Sequence, residues 1–110
     1  MPRIVAFVPD LMFGSRVHAS LTAAGHEVDL VTELDPAMGA DALIVDLTAE
    51  APTRIERARP LLRRGVPALA FYSHVETDTR ALADQAGFQL VVPRSRMARD
   101  TAALIQRLFG

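Results

Sequence analysis

Four residues that can do chemistry each follow a short apolar run, at well-separated points of the chain. Asp10 and Asp46 are acids, Ser73 carries a hydroxyl and Arg94 carries a guanidinium. Paired carboxylates are hard-oxygen ligands of the kind that hold Mg²⁺, and a carboxylate can also attack phosphorus as a nucleophile. A phosphoryl group in transfer needs a hydroxyl donor and a cation around its oxygens. These residue types therefore indicate phosphoryl chemistry, provided that the fold gathers them at one place.

Each of these side chains also has a plainer interpretation. An aspartate after a strand often caps the turn or helix that follows. Asp10 and Asp46 are therefore each either a cap or a metal ligand. Arg94 and Arg96 are either anion-binding groups or a solvated pair at the turn into the last helix. His74 is either a pH-sensitive group beside the acids or a half-exposed loop histidine. The placement of the strands decides between these interpretations.

Short β-branched runs alternate with stretches of helical period along the whole chain. The helix predicted at 53–64 contains Pro60, which is expected to kink or split it. Residues 33–40 leave room for at most a turn or two of a second helix. The predicted strands are 3–8, 28–32, 41–46, 66–72 and 88–92, and the other predicted helices are 13–24, 77–86 and 97–108.

This alternation predicts an α/β fold, a single domain spanning residues 1–110. A (βα)5 chain with right-handed crossovers forms a doubly wound parallel five-stranded sheet. The expected order is the flavodoxin-like 2-1-3-4-5, with a shortened second helix. Ligands in such folds lie beyond the carboxyl ends of the strands, at the switch point between strands one and three. Asp10 and Asp46 are expected to face each other there, in which case relief of their repulsion would make Asp46→Asn stabilising.

Composition narrows the function classes. The net charge is −1 and no region is strongly basic, so nucleic acid is not an expected partner. No apolar run approaches the roughly 20 residues of a membrane span, and no signal peptide is recognisable, so a cytoplasmic location is expected. The chain has no cysteine, and all twelve of its basic residues are arginine. Chemistry that needs a thiol or a lysine amine is therefore excluded.

The pattern resembles the receiver domain of bacterial response regulators, the signalling partners of sensor histidine kinases. The resemblance rests on the (βα)5 alternation, on Asp10, Asp46 and Ser73, and on a Val-Val strand before the last helix. It implies that Asp46 is the phosphoacceptor and that Asp10 and Asp46 bind Mg²⁺. It further implies that the carbonyl of Thr48 is a metal ligand and that the Ser73 hydroxyl binds the phosphoryl group.

Several positions depart from the family pattern. Pro9 replaces the first of two adjacent acids, so Mg²⁺ binding is expected to be weak or absent. Pro93 and Arg94 stand where the family has a lysine followed by a proline, and Leu90 occupies the position of the aromatic switch. Arg94 is the nearest cation that could replace the lysine, since its planar fork binds phosphate oxygens. These departures resemble atypical or pseudo-receivers.

The resulting hypothesis is a stand-alone receiver in signal transduction that is not itself an enzyme. Its output is expected through a downstream protein or a second copy of the chain, at the face formed by about Asp78–Ala86, Gln89–Val92 and Met97–Leu108. A sensor histidine kinase is the expected upstream partner. The alternatives are a flavodoxin-like domain that binds a small molecule and an interaction module that works without phosphorylation. The first alternative is disfavoured because no glycine-rich phosphate loop follows strand one.

Overall fold

Strands and helices alternate along the chain in the computed structural model, which describes residues 2–73 and 77–109. His74, for which two roles were considered, lies outside the described residues. The strands are β1 (Arg3–Phe7), β2 (Glu27–Val31), β3 (Ala42–Asp46), β4 (Ala68–Tyr72) and β5 (Leu90–Pro93), and the helices are α1 (Leu11–Ala23), α2 (Ala51–Arg63), α3 (Thr77–Ala86) and α4 (Arg94–Phe109).

The five strands form one parallel sheet in the order β2-β1-β3-β4-β5. The predicted fold class and strand order are therefore confirmed. Phe7 lies opposite Val45, and Asp46 lies opposite Phe71. The carboxyl ends of the three central strands consequently share one edge of the sheet, with Asp46 as the last residue of the middle strand.

Helices cover both faces of the sheet and divide the core into two layers. Val5, Leu43 and Val45 pack on the face covered by α2 and α3. Ile4 and Ile44 pack on the opposite face with residues of α1 and α4. Every residue of β3 and β4 is buried, which explains why these strands appear in the sequence as continuous apolar runs without alternation.

The helix α2 is not split at Pro60, contrary to one of the two expected effects. A single helix runs from Ala51 to Arg63 and buries Ile55, Ala58 and Leu61. Proline removes one backbone N–H donor from a helix. Because apolar residues on both sides of Pro60 remain packed on the sheet, tertiary packing offsets that single loss.

No helix joins β2 to β3 in the described segment 32–41, where a short helix was expected. The Ala37 N–H instead donates to Asp35 Oδ1 at 2.9 Å and closes a turn. The Arg64 guanidinium, at the end of α2, donates to the carbonyls of Pro36 and Met38. Leu34 points into the α2 layer of the core and is only 7% exposed. The loop thus covers the sheet with one leucine where a helix would otherwise lie.

Within the described ranges, none of the helices combines the length and the apolarity that crossing a lipid bilayer requires.

The covering role of Leu34 can be tested by truncation. Leu34→Ala should lower the free energy of unfolding by about 2–5 kcal/mol, because it removes buried methyl groups and leaves a cavity. Leu11→Ala is the control, since Leu11 is 76% exposed and its truncation should change stability by less than about 0.5 kcal/mol. Urea denaturation measures both, and equal effects would show that the loop does not cover the core.

Candidate functional site

Asp46 is a buried acid held by the turn that follows it. Only 3% of the surface of Asp46 is exposed. Its Oδ1 accepts the backbone N–H of Thr48 at 2.8 Å and the Thr48 hydroxyl at 2.5 Å. Aspartate commonly hydrogen-bonds to the backbone two residues ahead, so this contact is a local consequence of the sequence. Thr48 therefore contacts Asp46 through its two donors.

Arg54, on α2, supplies the counter-charge for Asp46. Its Nη1 lies 3.6 Å from Asp46 Oδ2 and donates to the backbone carbonyl of Asp46 at 3.0 Å. Its guanidinium also lies 5.9 Å from the centre of the Phe7 ring, and its side chain is 13% exposed. A largely buried arginine thus links the start of α2 to the ends of β1 and β3.

Sequence reasoning missed Arg54, although one signal was present. The positive end of a helix dipole lies at the N-terminus, where a cation is disfavoured. Arg54 is nevertheless the fourth residue of α2, the helix that follows the strand ending in Asp46. A cation at such a position indicates an acidic partner nearby.

The predicted cation Arg94 pairs with Asp10. Asp10 is the N-cap of α1, and its Oδ1 accepts the Phe13 N–H at 3.0 Å. Its Oδ2 lies 3.7 Å from Arg94 Nη2, and both side chains are about half exposed. The guanidinium carbon of Arg94 lies 4.5 Å from the centre of the Phe13 ring. The capping role considered for Asp10 is therefore present, together with an ion pair.

The remaining predicted residues lie at the ends of β4 and β5. Ser73 directly follows β4 and is half-buried. Pro93 ends β5 opposite Tyr72. Arg96 is half-buried near the start of α4. These positions place the hydroxyl and the cations at the same edge of the sheet as the acids.

This donor set does not fit a Mg²⁺ site. The two acids are each engaged by a backbone N–H and approached by an arginine. Pro9, next to Asp10, contributes no carboxylate. Across residues 2–73 and 77–109, no three histidine, aspartate or glutamate side chains are grouped so as to hold a metal ion. Mg²⁺ prefers near-octahedral oxygen ligands, whereas a guanidinium already approaches Oδ2 of each acid.

A cavity of about 310 Å³ opens beside Arg54 at this edge. Phe7 and Leu34 contribute apolar walls, and the loop 32–41 closes one side. Its charged walls are two arginines and two glutamates: Glu33, Glu50, Arg54 and Arg57. Because these charges balance, the cavity does not favour a polyanionic ligand such as a nucleotide.

Comparison of the fold with solved structures identifies one class of neighbour. A receiver protein from Burkholderia phymatum matches with a TM-score of 0.81 at 19% identity, over 100% of this chain and 96% of that one. A CheY-like receiver domain from Methanospirillum hungatei matches with a TM-score of 0.81 at 16% identity, over 99% and 94%. An orphan response regulator of H. pylori matches with a TM-score of 0.78 at 14% identity, over 99% and 97%.

These similarities show that the chain has the fold of response regulator receiver domains. No protein-family model matches the sequence, and no curated protein matches it.

The contacts of Asp46 reverse the effect expected for its substitution. Asp46→Asn should lower the free energy of unfolding by about 1–3 kcal/mol, because it leaves the guanidinium of Arg54 without its carboxylate. Asp29→Asn is the matched control, since the Asp29–Arg3 pair is exposed to solvent and should change the free energy of unfolding by less than Asp46→Asn does. Chemical denaturation at neutral pH measures both. A more stable Asp46→Asn protein would show that repulsion between the acids dominates.

Proposed function

We propose that the chain is an atypical receiver domain that transmits a signal through protein contacts and uses Asp46 as a structural acid. The receiver fold over the full length of the chain supports the class. The single observation that carries the proposal is the contact of Arg54 with the buried carboxylate of Asp46. Of the alternatives raised by the sequence, this is the interaction module that works without phosphorylation.

The chemistry of phosphoryl transfer supports this choice. To accept a phosphoryl group, a carboxylate oxygen must approach phosphorus in line with the leaving group. Asp46 Oδ1 already accepts two hydrogen bonds from Thr48, and Oδ2 faces Arg54 at 3.6 Å. The chain has no lysine to contact the transferred group. A phosphodonor would have to displace Arg54, whose guanidinium approaches Oδ2 and whose side chain is only 13% exposed.

The proposed output surface is the face formed by α3, β5 and α4. β5 is an edge strand of the sheet, with α3 in one core layer and α4 in the other. An edge strand presents unpaired backbone N–H and C=O groups, which a partner can bind. We propose that a downstream protein or a second copy of the chain binds this face, with the cytoplasm as the place of action. In this form of signalling, a sensor histidine kinase is a binding partner and does not donate a phosphoryl group to Asp46.

Phosphorylation can be tested directly on the intact protein. Incubation with acetyl phosphate and Mg²⁺ should leave the mass of the wild-type protein unchanged, because Asp46 is engaged by Arg54 and Thr48. Intact-protein mass spectrometry measures the adduct, and a receiver domain known to accept phosphate verifies that the donor is active.

The variant Asp46→Asn identifies the site of any adduct that does form. A phosphoryl adduct that appears on the wild-type protein and is absent from Asp46→Asn would overturn the proposal. An adduct that appears on both proteins lies elsewhere and leaves Asp46 as a structural acid.

A further inference from the structure

We infer that Arg54 and Arg94 take the electrostatic place of a divalent cation at the carboxyl edge of the sheet. The acids that would otherwise attract Mg²⁺ are neutralised permanently by the chain's own side chains. The inference deepens the proposed function and rests on it for the location of the site. The positive charges of Arg54 and Arg94 exclude a divalent cation from the site.

The first half of this replacement is the pair of Asp46 and Arg54. A buried carboxylate requires a counter-charge and hydrogen bonds, because transfer of an isolated ion out of water is costly. Arg54 meets the requirement in two ways, through its approach to Oδ2 and through its hydrogen bond to the Asp46 carbonyl. The Phe7 ring flanks the guanidinium. Contacts on several sides therefore fix the position of this cation.

The second half is the pair of Asp10 and Arg94. Both side chains are half exposed, but both contact Phe13, a residue of the core. Arg94 lies over the ring of Phe13, and attraction between a guanidinium and an aromatic face holds such a side chain in place. Phe13 is itself buried and packs against Phe71, with 5.0 Å between ring centres. Asp10 caps the N–H of the same phenylalanine. One buried ring thus positions both members of the pair.

The charges at this edge sum to zero without a metal ion. Two carboxylates face two guanidiniums, and Pro9 contributes no charge. A Mg²⁺ ion placed between the acids would add two positive charges to a neutral site and would be repelled by both arginines. Removal of the two arginines would leave Oδ2 of Asp10 and Oδ2 of Asp46 without cations, at the ends of the neighbouring strands β1 and β3. One or two carboxylates are enough to bind Mg²⁺ when water completes its coordination.

A Mg²⁺ titration without any phosphodonor tests the inference. Amide NMR shifts are followed while MgCl₂ is added, with NaCl at matched ionic strength as the salt control. The wild-type protein should show no saturable shift at the amides around Asp10 and Asp46. The double variant Arg54→Gln/Arg94→Gln should show a saturable shift there, with an apparent dissociation constant at least tenfold below the highest MgCl₂ concentration used.

The double variant Arg57→Gln/Arg96→Gln is the matched control. It changes the net charge equally and on the same two helices, but it leaves both pairs in place. It should behave as the wild-type protein does. An equal gain of Mg²⁺ binding in this control would overturn the inference, because net charge alone would then explain the effect.

Two further results would overturn the inference. One is saturable Mg²⁺ binding by the wild-type protein at these amides, an experiment that needs no variant. The other is a folded Arg54→Gln/Arg94→Gln protein that gains no binding, with sucrose added where the variant needs help to remain folded. The wild type could bind Mg²⁺ and still form no phosphoryl adduct at Asp46. That pair of results would overturn only the inference about Arg54 and Arg94, and the proposed function would stand.

Discussion

The burial of one carboxylate at the end of the central strand is the constraint on which the site depends. All five residues of β3 are buried, and its last residue is Asp46. Asp46 pairs with Phe71 of β4, and with 3% of its surface exposed it has little contact with water. An ionised acid in such surroundings must be matched by donors and by positive charge. The turn that contains Thr48 provides the donors, and Arg54 at the start of α2 provides the positive charge. Both contacts are therefore consequences of the burial of Asp46.

The loop between β2 and β3 contributes to the same arrangement from the other side. With Leu34 packed on the sheet in place of a helix, space is left beside Phe7 and Arg54 for the cavity at the carboxyl edge. Arg64, near the end of α2, holds this loop through the carbonyls of Pro36 and Met38. The helix that carries Arg54 to the acid therefore also anchors the segment that replaces the second helix. A receiver fold is retained although one of its layers is thinner.

The sequence predicted the sheet well because its signals are local and periodic. Continuous apolar runs marked β3 and β4, and strand ends placed Asp10, Asp46, Ser73 and Arg94 at one edge. It could not predict which cation meets which acid. That choice depends on the packing of Phe13, which draws Arg94 toward Asp10, and on the placement of α2.

Two further features differ in how far the sequence could predict them. Pro60 is tolerated because packing on both sides of it holds α2 together, and such tertiary packing overrides the local preference of the sequence. The loop 32–41 omits its expected helical turns because Asp35 closes a different turn. That contact is local, and an aspartate followed by a proline was a turn signal in the sequence.

The central claim is that Asp46 and Arg54 stabilise each other, and a double-mutant cycle measures this interaction most directly. The free energies of unfolding of the wild type, Asp46→Asn, Arg54→Gln and the double variant give the coupling energy. Direct contact at a largely buried site predicts a favourable coupling of about 1 kcal/mol or more. Effects that add to within about 0.3–0.5 kcal/mol would contradict the account.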